Sequence, residues 1–312
     1  MGDSLQKLKG IVVSSKANYL NVDIDRLEGK NFSKFIGKNS RIRLLCTQRN
    51  KLKFIGSKVN VGDEVLVEAI DWKLKRGVIC KVENRTNFID RPPVSNVSNI
   101  FVLLSVSEPA FSFNQASRFL ITAEKTGLDV ILVLTKIDLI PSFELKKLIS
   151  TLKTWFYNPI GISIKTGKGI EVLITKLKTS KISVLCGPSG VGKTSLINSL
   201  IPAQSLLIAP VSTKLKRGRH TTRNVELFDL DNGSFIADTP GFNKPEIEIH
   251  PSKLADLFPE FRSQERIKSC KFRDCLHRDE PGCLMDKNWQ RYSLYCECVE
   301  EMISLQNQGQ GG

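Results

Sequence analysis

No run of this 312-residue chain approaches the ~20 consecutive apolar residues that a membrane-crossing helix needs. The opening Met1-Gly2-Asp3-Ser4-Leu5-Gln6 lacks an apolar signal region, and Gln6 breaks the myristoylation pattern. The expectation is a cytoplasmic protein without a membrane partner. Acidic residues are also in short supply, 32 Asp+Glu against 46 Lys+Arg, which leaves a formal charge of +14. That imbalance is uneven: residues 1–90 and 91–246 each carry +8, and residues 247–312 carry −2. A basic surface of this size suits a polyanionic partner, nucleic acid first, and on charge alone suits a merely soluble basic protein equally well. In the cytoplasm the eight cysteines stay reduced. Five of them crowd between Cys270 and Cys298, a spacing that reads as metal binding.

What is present is organised around Gly187-Pro188-Ser189-Gly190-Val191-Gly192-Lys193-Thr194, a full match to the phosphate-loop pattern. Apolar Ile182–Cys186 leads in as a strand, and Ser195 through Leu200 continues as a helix. Glycines let backbone N–H groups curl around a phosphate chain, and the helix N-terminus adds positive potential. Lys193 reaches β- and γ-phosphates in such a loop, and the Thr194 hydroxyl binds Mg²⁺. A glycine-rich turn that binds nothing would not need strand before and helix after. The segment implies a nucleoside triphosphate site.

Residues 1–90 hold about five short strands in a basic module: 10–13, 19–23, 41–46, 64–67 and 77–82. That suits a small all-β barrel of the OB-fold type, a common nucleic-acid binder. Lys38, Arg41, Arg43, Arg49, Lys51 and Lys53 interleave with Phe35 and Phe54, either as phosphate and base contacts or as a solvated rim over core aromatics. Residues 84–93, ending in a proline pair, read as an irregular linker.

Residues 91–246 alternate strands and helices, an α/β pattern with a parallel sheet. Thr135-Lys136-Ile137-Asp138 falls at a strand end, where open α/β sheets bind ligands. A carboxylate at Asp138 accepts from the ring N–H and amino group on one edge of guanine. Adenine lacks both donors there and would leave the charge unpaired. Ser163-Ile164-Lys165 is placed to close over the base, giving Ser163 and Lys165 as contacts. Asp238-Thr239-Pro240-Gly241 ends a hairpin, with Asp238 toward Mg²⁺ and the Gly241 N–H toward the γ-phosphate. Conventional GTPases place the phosphate loop first. Here the guanine motifs precede it, so the domain is circularly permuted, which surface-lying termini tolerate.

Cys270-x4-Cys275-x-His277-x5-Cys283 supplies three thiolates and an imidazole within 14 positions. This donor set suits one closed, tetrahedral, structural Zn²⁺ that stabilises a module too small for a good core. Cys296 and Cys298 are surplus to four-coordination. Residues 288–305 read as an amphipathic helix.

The permuted order, Lys216-Arg217-Gly218-Arg219-His220-Thr221-Thr222 and the flanking modules closely resemble the RsgA (YjeQ/YloQ-type) family of small-subunit-dependent, circularly permuted GTPases, over essentially the whole chain. The resemblance implies a multi-domain chain: an OB-fold RNA-binding barrel (1–90), a circularly permuted P-loop GTPase domain (91–246) and a zinc-binding module with helices (247–312). It implies Thr135, Lys136, Asp138 and Gly187 through Ser195 as GTP contacts, including Pro188, Ser189 and Val191, and the four-residue zinc pattern. Either Thr221 or Thr222 is then the switch threonine on Mg²⁺ and the γ-phosphate. Phe242 stands where a water-orienting Gln is found in Ras-type enzymes, so unaided hydrolysis is expected to be slow. His220 is the nearest water-positioning candidate, or else contacts RNA together with Arg219. The implied activity is GTP hydrolysis to GDP and phosphate, assisting late maturation of the small ribosomal subunit and stimulated by it. The implied partners are the subunit and its rRNA, with the chain itself a monomer. Two other readings stay in view: a nucleotide-binding RNA scaffold without turnover, and a permuted GTPase serving the large subunit.

Overall fold

The computed structural model describes residues 7–16, 19–24, 41–50, 58–201, 225–230, 232–238, 245, 247–264 and 270–309. In chain order the first strands are β1 (Leu8–Lys16), β2 (Tyr19–Ile24), β3 (Ile42–Gln48), β4 (Glu64–Asp71) and β5 (Arg76–Val82). A short hairpin of β6 (Phe88–Asp90) and β7 (Pro93–Ser95) follows. β8 (Asn99–Ser105) is buried at every position, as the apolar run of residues 100–104 requires of an interior strand. Ser112 then caps α1 (Phe113–Glu124) by accepting from the Gln115 N–H at 3.3 Å. Next come β9 (Asp129–Thr135), α2 (Ser142–Thr154), β10 (Ile160–Gly161), α3 (Ile170–Lys178), β11 (Ile182–Cys186) and α4 (Lys193–Leu200). The described chain ends with β12 (Glu226–Asp229), β13 (Phe235–Asp238), α5 (Pro259–Arg262) and α6 (Tyr292–Gly309).

Contacts group the chain into two compact units. The first comprises Met1–Asn99, Val172–Leu185 and Lys193–Asn243. Its strands run β1-β2-β3-β5-β4, and β4 returns to pair with β1, closing a five-stranded OB-like barrel. β3 and β5 are parallel and the other barrel pairs antiparallel. Leu8, Val12, Val22, Leu44, Val67 and Ile79 fill the barrel. β1 also meets β12 at Ser14↔Glu226; β12 is antiparallel to β13, and β13 parallel to β11.

Residues 84–93 are not the irregular linker expected from their prolines. Phe88 pairs with Ser95 and Asp90 with Pro93 in the β6–β7 hairpin. Proline is admissible as the first residue of an edge strand, where no ladder donor is asked of it. Asn87 fastens the hairpin's base, bonding both the N–H and the carbonyl of Val97 at 2.9 and 2.8 Å.

Three of the barrel's expected nucleic-acid contacts are already paired within the protein. Arg43 forks onto Asp23 at 2.7 and 3.0 Å, Arg49 meets Glu68 at 2.9 Å, and Arg41 meets Asp229 at 3.3 Å. Lys38, Lys51, Lys53, Phe35 and Phe54 lie outside the described residues.

The second unit comprises Ile100–Glu171, Cys186–Gly192 and Lys244–Gly312. Strands β10, β9 and β8 lie side by side in it, with β10 and β9 parallel. Its C-terminal core gathers Leu254, Phe258, Phe261, Tyr295, Val299 and Met302, and Ile121 of α1 belongs to the same cluster. α6 starts at Tyr292, four residues later than its amphipathic pattern suggests. The reason is local: the Asp286 carboxylate accepts from the Asn288 N–H at 2.8 Å, and such an Asx turn competes with helix.

Candidate nucleotide site and metal knot

The phosphate loop occupies the turn between β11 and α4. Gly187, Gly190 and Gly192 take φ of 139, 84 and 96°, which side chains disfavour. At Gly187 space alone would decide the matter, because an added Cβ would sit 2.1 Å from the Leu103 carbonyl oxygen. Pro188 and Val191 are buried while Ser189 and Gly190 are exposed, so the loop's tip faces outward. Lys193, Thr194 and Ser195 form the first turn of α4, which the glycine loop enters directly. A loop of successive N–H groups running into a helix N-terminus is built to hold phosphate.

Thr135 ends β9 and is 2% exposed. Its hydroxyl donates to the Val191 carbonyl at 2.8 Å, linking the guanine motif to the phosphate loop by one buried bond. Lys136 adopts left-handed φ of 59°, and its ammonium bonds the Glu108 carbonyl from the loop after β8. This turn aims Asp138 outward in the single-turn 3-10 helix Ile137–Leu139. A hydrogen bond from buried Ser163 holds the Asp138 carboxyl below the usual carboxylate range, and Lys165 adds Coulombic support. Ser163 is itself fixed: its N–H donates to the Lys168 carbonyl at 2.9 Å, and its hydroxyl accepts from the Thr166 N–H at 3.1 Å. Gly169 makes the close turn possible, since a Cβ there would lie 2.0 Å from the Gly161 carbonyl oxygen. The arrangement leaves an ionised acceptor at a strand end, suited to a ligand edge with two donors.

Asp238 ends β13 in register with Leu185, two residues before Gly187 of the loop. Thr194 and Asp238 offer hydroxyl and carboxylate oxygen, hard donors that fit Mg²⁺. His220, Thr221, Thr222, Gly241 and Phe242 lie outside the described residues.

In the C-terminal module Cys270, Cys275, His277 and Cys283 bring their ligand atoms within 4.8 Å of one another. Three sulfurs and one imidazole nitrogen at this spacing fit a tetrahedral soft-metal site. Burial pushes the Cys275 thiol up to about 12 and draws His277 below its ordinary value. The imidazole is therefore neutral, and metal binding must expel the thiol's proton. Neither Cys296 nor Cys298 belongs to the group, and Cys298 is buried in the module's core.

The sequence pattern did not single out the supports. Glu280 accepts from the Leu276 and Arg278 N–H groups at 2.9 and 2.7 Å, shaping the turn that carries His277. Tyr295 and Tyr292 donate to the carbonyls of Leu276 and His277 at 2.6 and 3.1 Å. Arg291, 3% exposed, forks onto Glu260 at 2.7 and 2.5 Å and stacks over Trp155 at 4.4 Å. Arg118–Glu301, Arg262–Glu124 and Trp155–Gln290 add contacts at 2.7, 2.8 and 2.8 Å. An acidic residue inside the cysteine run was the one visible signal for Glu280; the Arg291 contacts have none, because Glu260 lies 31 residues back in the chain and Trp155 belongs to a different segment altogether. Of the basic residues around the knot, Arg278 pairs with Glu300 and Lys271 lies over Phe272.

A five-stranded barrel, a phosphate loop that follows the guanine motif in the chain, and a Cys₃His knot together define a circularly permuted GTPase. The sequence profile of the RsgA GTPase family matches residues 82–248. A small ribosomal subunit biogenesis GTPase RsgA from Prochlorococcus marinus is 54% identical over 300 residues, covering 96% of this chain and 97% of the relative. A protein of the same name from Synechococcus sp. is 48% identical over 313 residues, covering 100% of both. Among solved structures, YjeQ from Thermotoga maritima aligns with a TM-score of 0.73 and 31% identity, covering 96% of this chain and 99% of that one. YloQ, a circularly permuted GTPase, aligns with a TM-score of 0.73 and 26% identity, covering 96% of each chain. The chain belongs to the RsgA GTPase family.

Proposed function

We propose that this protein hydrolyses GTP to GDP and phosphate in the biogenesis of the small ribosomal subunit. The observation that supports the reading is the bond from Thr135 to Val191, which ties the proposed base-reading turn to the phosphate loop. Asp138 selects guanine, with Lys136 alongside it and Ser163 and Lys165 closing the base subsite. Backbone N–H groups of Gly187 and of Ser189 through Ser195, together with the Lys193 ammonium, hold the phosphates in line for attack by water. Thr194 and Asp238 would hold Mg²⁺, which would supply neutralisation of the charge on the phosphates. No covalent enzyme intermediate is needed, and catalysis is positioning plus electrostatic stabilisation.

The working partition is an RNA-binding barrel over 1–90, the GTPase domain over 91–246 and a zinc module over 247–312. Cys270, Cys275, His277 and Cys283 hold one structural Zn²⁺. The subunit's rRNA is the polyanion that the net charge of +14 favours. With Phe242 following Gly241, hydrolysis depends on the bound subunit, and His220 with Thr221 or Thr222 completes the site. The chain acts as a cytoplasmic monomer; no helix among the described residues is long and apolar enough to cross a membrane.

The test is phosphate release from GTP and from ATP, with and without purified small subunits. Strong stimulation restricted to GTP and to small subunits is expected. GTP binding without turnover under every condition would instead leave a nucleotide-dependent RNA scaffold, and stimulation only by large subunits would reassign the partner.

A further inference from the structure

Helix α2 (Ser142–Thr154) has two faces of opposite character. Leu145, Leu148, Ile149 and Leu152 recur at helical spacing and are half-buried or buried. Phe143, Lys146, Lys147, Ser150, Lys153 and Thr154 share the other side, and all are exposed. Phe143 is 70% exposed, an unusual position for a phenylalanine on a helix of a basic surface. Lys146, Lys147 and Lys153 have no ion-pair partner among the described residues, unlike Arg43, Arg49 and Arg41 of the barrel.

The helix's end is more telling. Phe156 donates its N–H to the Lys153 carbonyl at 3.0 Å, and Tyr157 donates to the Leu152 carbonyl at 3.2 Å. These two bonds make a Schellman cap, with Phe156 at the left-handed position and φ of 65°. Glycine is the residue that this position favours, because a β-carbon crowds the backbone there. The sequence instead keeps a large aromatic side chain that is 60% exposed. Its ring therefore gains little from the protein's own core, and the local rule is broken without compensation inside the fold.

We propose that this face of α2, from Phe143 through Lys146, Lys147 and Lys153 to Phe156 beyond the helix end, docks single-stranded RNA. Three ammonium groups without an ion-pair partner among the described residues meet phosphates, and two exposed rings offer stacking platforms for unpaired bases. Phe143 to Thr154 spans roughly 17 Å of helix, enough for several nucleotides. Charge decides the partner class: the face carries three lysines and two aromatic rings, and a flanking Glu144 is its one acid. The ribosomal reading above supplies only the source of the RNA; the face itself follows from exposure, charge and the cap.

The cap makes the test unusually clean. Phe156→Gly relieves the left-handed strain, so its melting temperature should equal or exceed that of the parent chain. Its affinity for a labelled single-stranded RNA of about twenty nucleotides should fall on the order of tenfold, while Phe156→Tyr retains it. Replacing Lys146, Lys147 and Lys153 by Gln should lower the slope of log affinity against log salt by about 2. GTP affinity should be unchanged throughout, and subunit-stimulated phosphate release by the parent chain, read in parallel, reports separately on the ribosomal function. Unaltered RNA binding by Phe156→Gly, or no binding by the parent chain, would overturn the proposal. So would loss of small-subunit binding with oligonucleotide binding intact, since that outcome assigns the face to a ribosomal protein.

Discussion

The Thr135 hydroxyl donates to the Val191 carbonyl at 2.8 Å, with both residues buried. In the proposed site Thr135 belongs to the turn that reads the base, and Val191 to the loop that holds the phosphates. Asn is common at this position in GTPases, and its longer amide can make more than one bond. Here the hydroxyl ties the two loops through its 2.8 Å bond to Val191, with the Leu104 carbonyl a second, longer acceptor at 3.4 Å. Thr135→Val removes that donor with little change of shape and leaves the Val191 carbonyl buried without it. An unpaired buried acceptor costs about 1–3 kcal/mol. Titration with a fluorescent GTP analogue should show affinity reduced on the order of tenfold, with Thr135→Ser close to the parent protein. Equal affinity in Thr135→Val would remove this bond from the account.

The carboxyl of Asp138 lies below its ordinary range because Ser163 donates to it. A depressed pKa means that the charged form, and with it guanine binding, persists as pH falls to the usual carboxylate value near ~4. Affinity is lost only as pH drops through the lowered pKa. GTP binding measured across the acid range should therefore be flat through neutral and mildly acid pH. In Ser163→Ala the fall should begin at higher pH. Coincident profiles for the two proteins would show that Ser163 does not tune this group.

Metal analysis should find one zinc per chain, and Cys275→Ser should abolish it. Four donor atoms within 4.8 Å leave no open coordination position, so removal acts on folding rather than on chemistry. Chelation should expose the Phe258, Phe261 and Tyr295 core, read as a loss of near-ultraviolet circular dichroism. Unchanged thermal melting after complete metal removal would contradict a structural role.

Arg291 and Glu260 are 3% and 4% exposed, and the guanidinium also stacks on Trp155 and Phe258. Breaking a buried pair from one side strands the other charge and costs about 3–5 kcal/mol. Glu260→Leu or Arg291→Met alone should lower stability by that amount in denaturant unfolding. The double replacement Glu260→Leu with Arg291→Met should cost less than the sum. Simple additivity would mean that the two side chains act independently.

Much of this architecture was legible because its signals are local. The glycines of residues 187–192 declare a loop by themselves, and Ile182–Cys186 and Asn99–Ser105 are strands by near-continuous apolarity. The Cys270–Cys283 cluster is read from spacing within one short segment. What stayed hidden depends on distant partners. Arg291 looks like any surface arginine until Glu260 and Trp155 fold around it. The β6–β7 hairpin was masked by Pro92 and Pro93, because the compensating side-chain bonds of Asn87 appear only in three dimensions. The barrel's arginines read as nucleic-acid contacts, yet Arg43 and Arg49 are held by Asp23 and Glu68.

The most direct measurement is the nucleotide preference of Asp138→Asn in the subunit-stimulated phosphate-release assay. An amide at this position can donate to the second carbonyl of xanthine but no longer accepts both guanine donors. GTP turnover should collapse, XTP turnover should appear, and small subunits should stimulate it. GTP turnover unaffected by the substitution would place the base elsewhere and contradict a pocket shared by Asp138 and the phosphate loop.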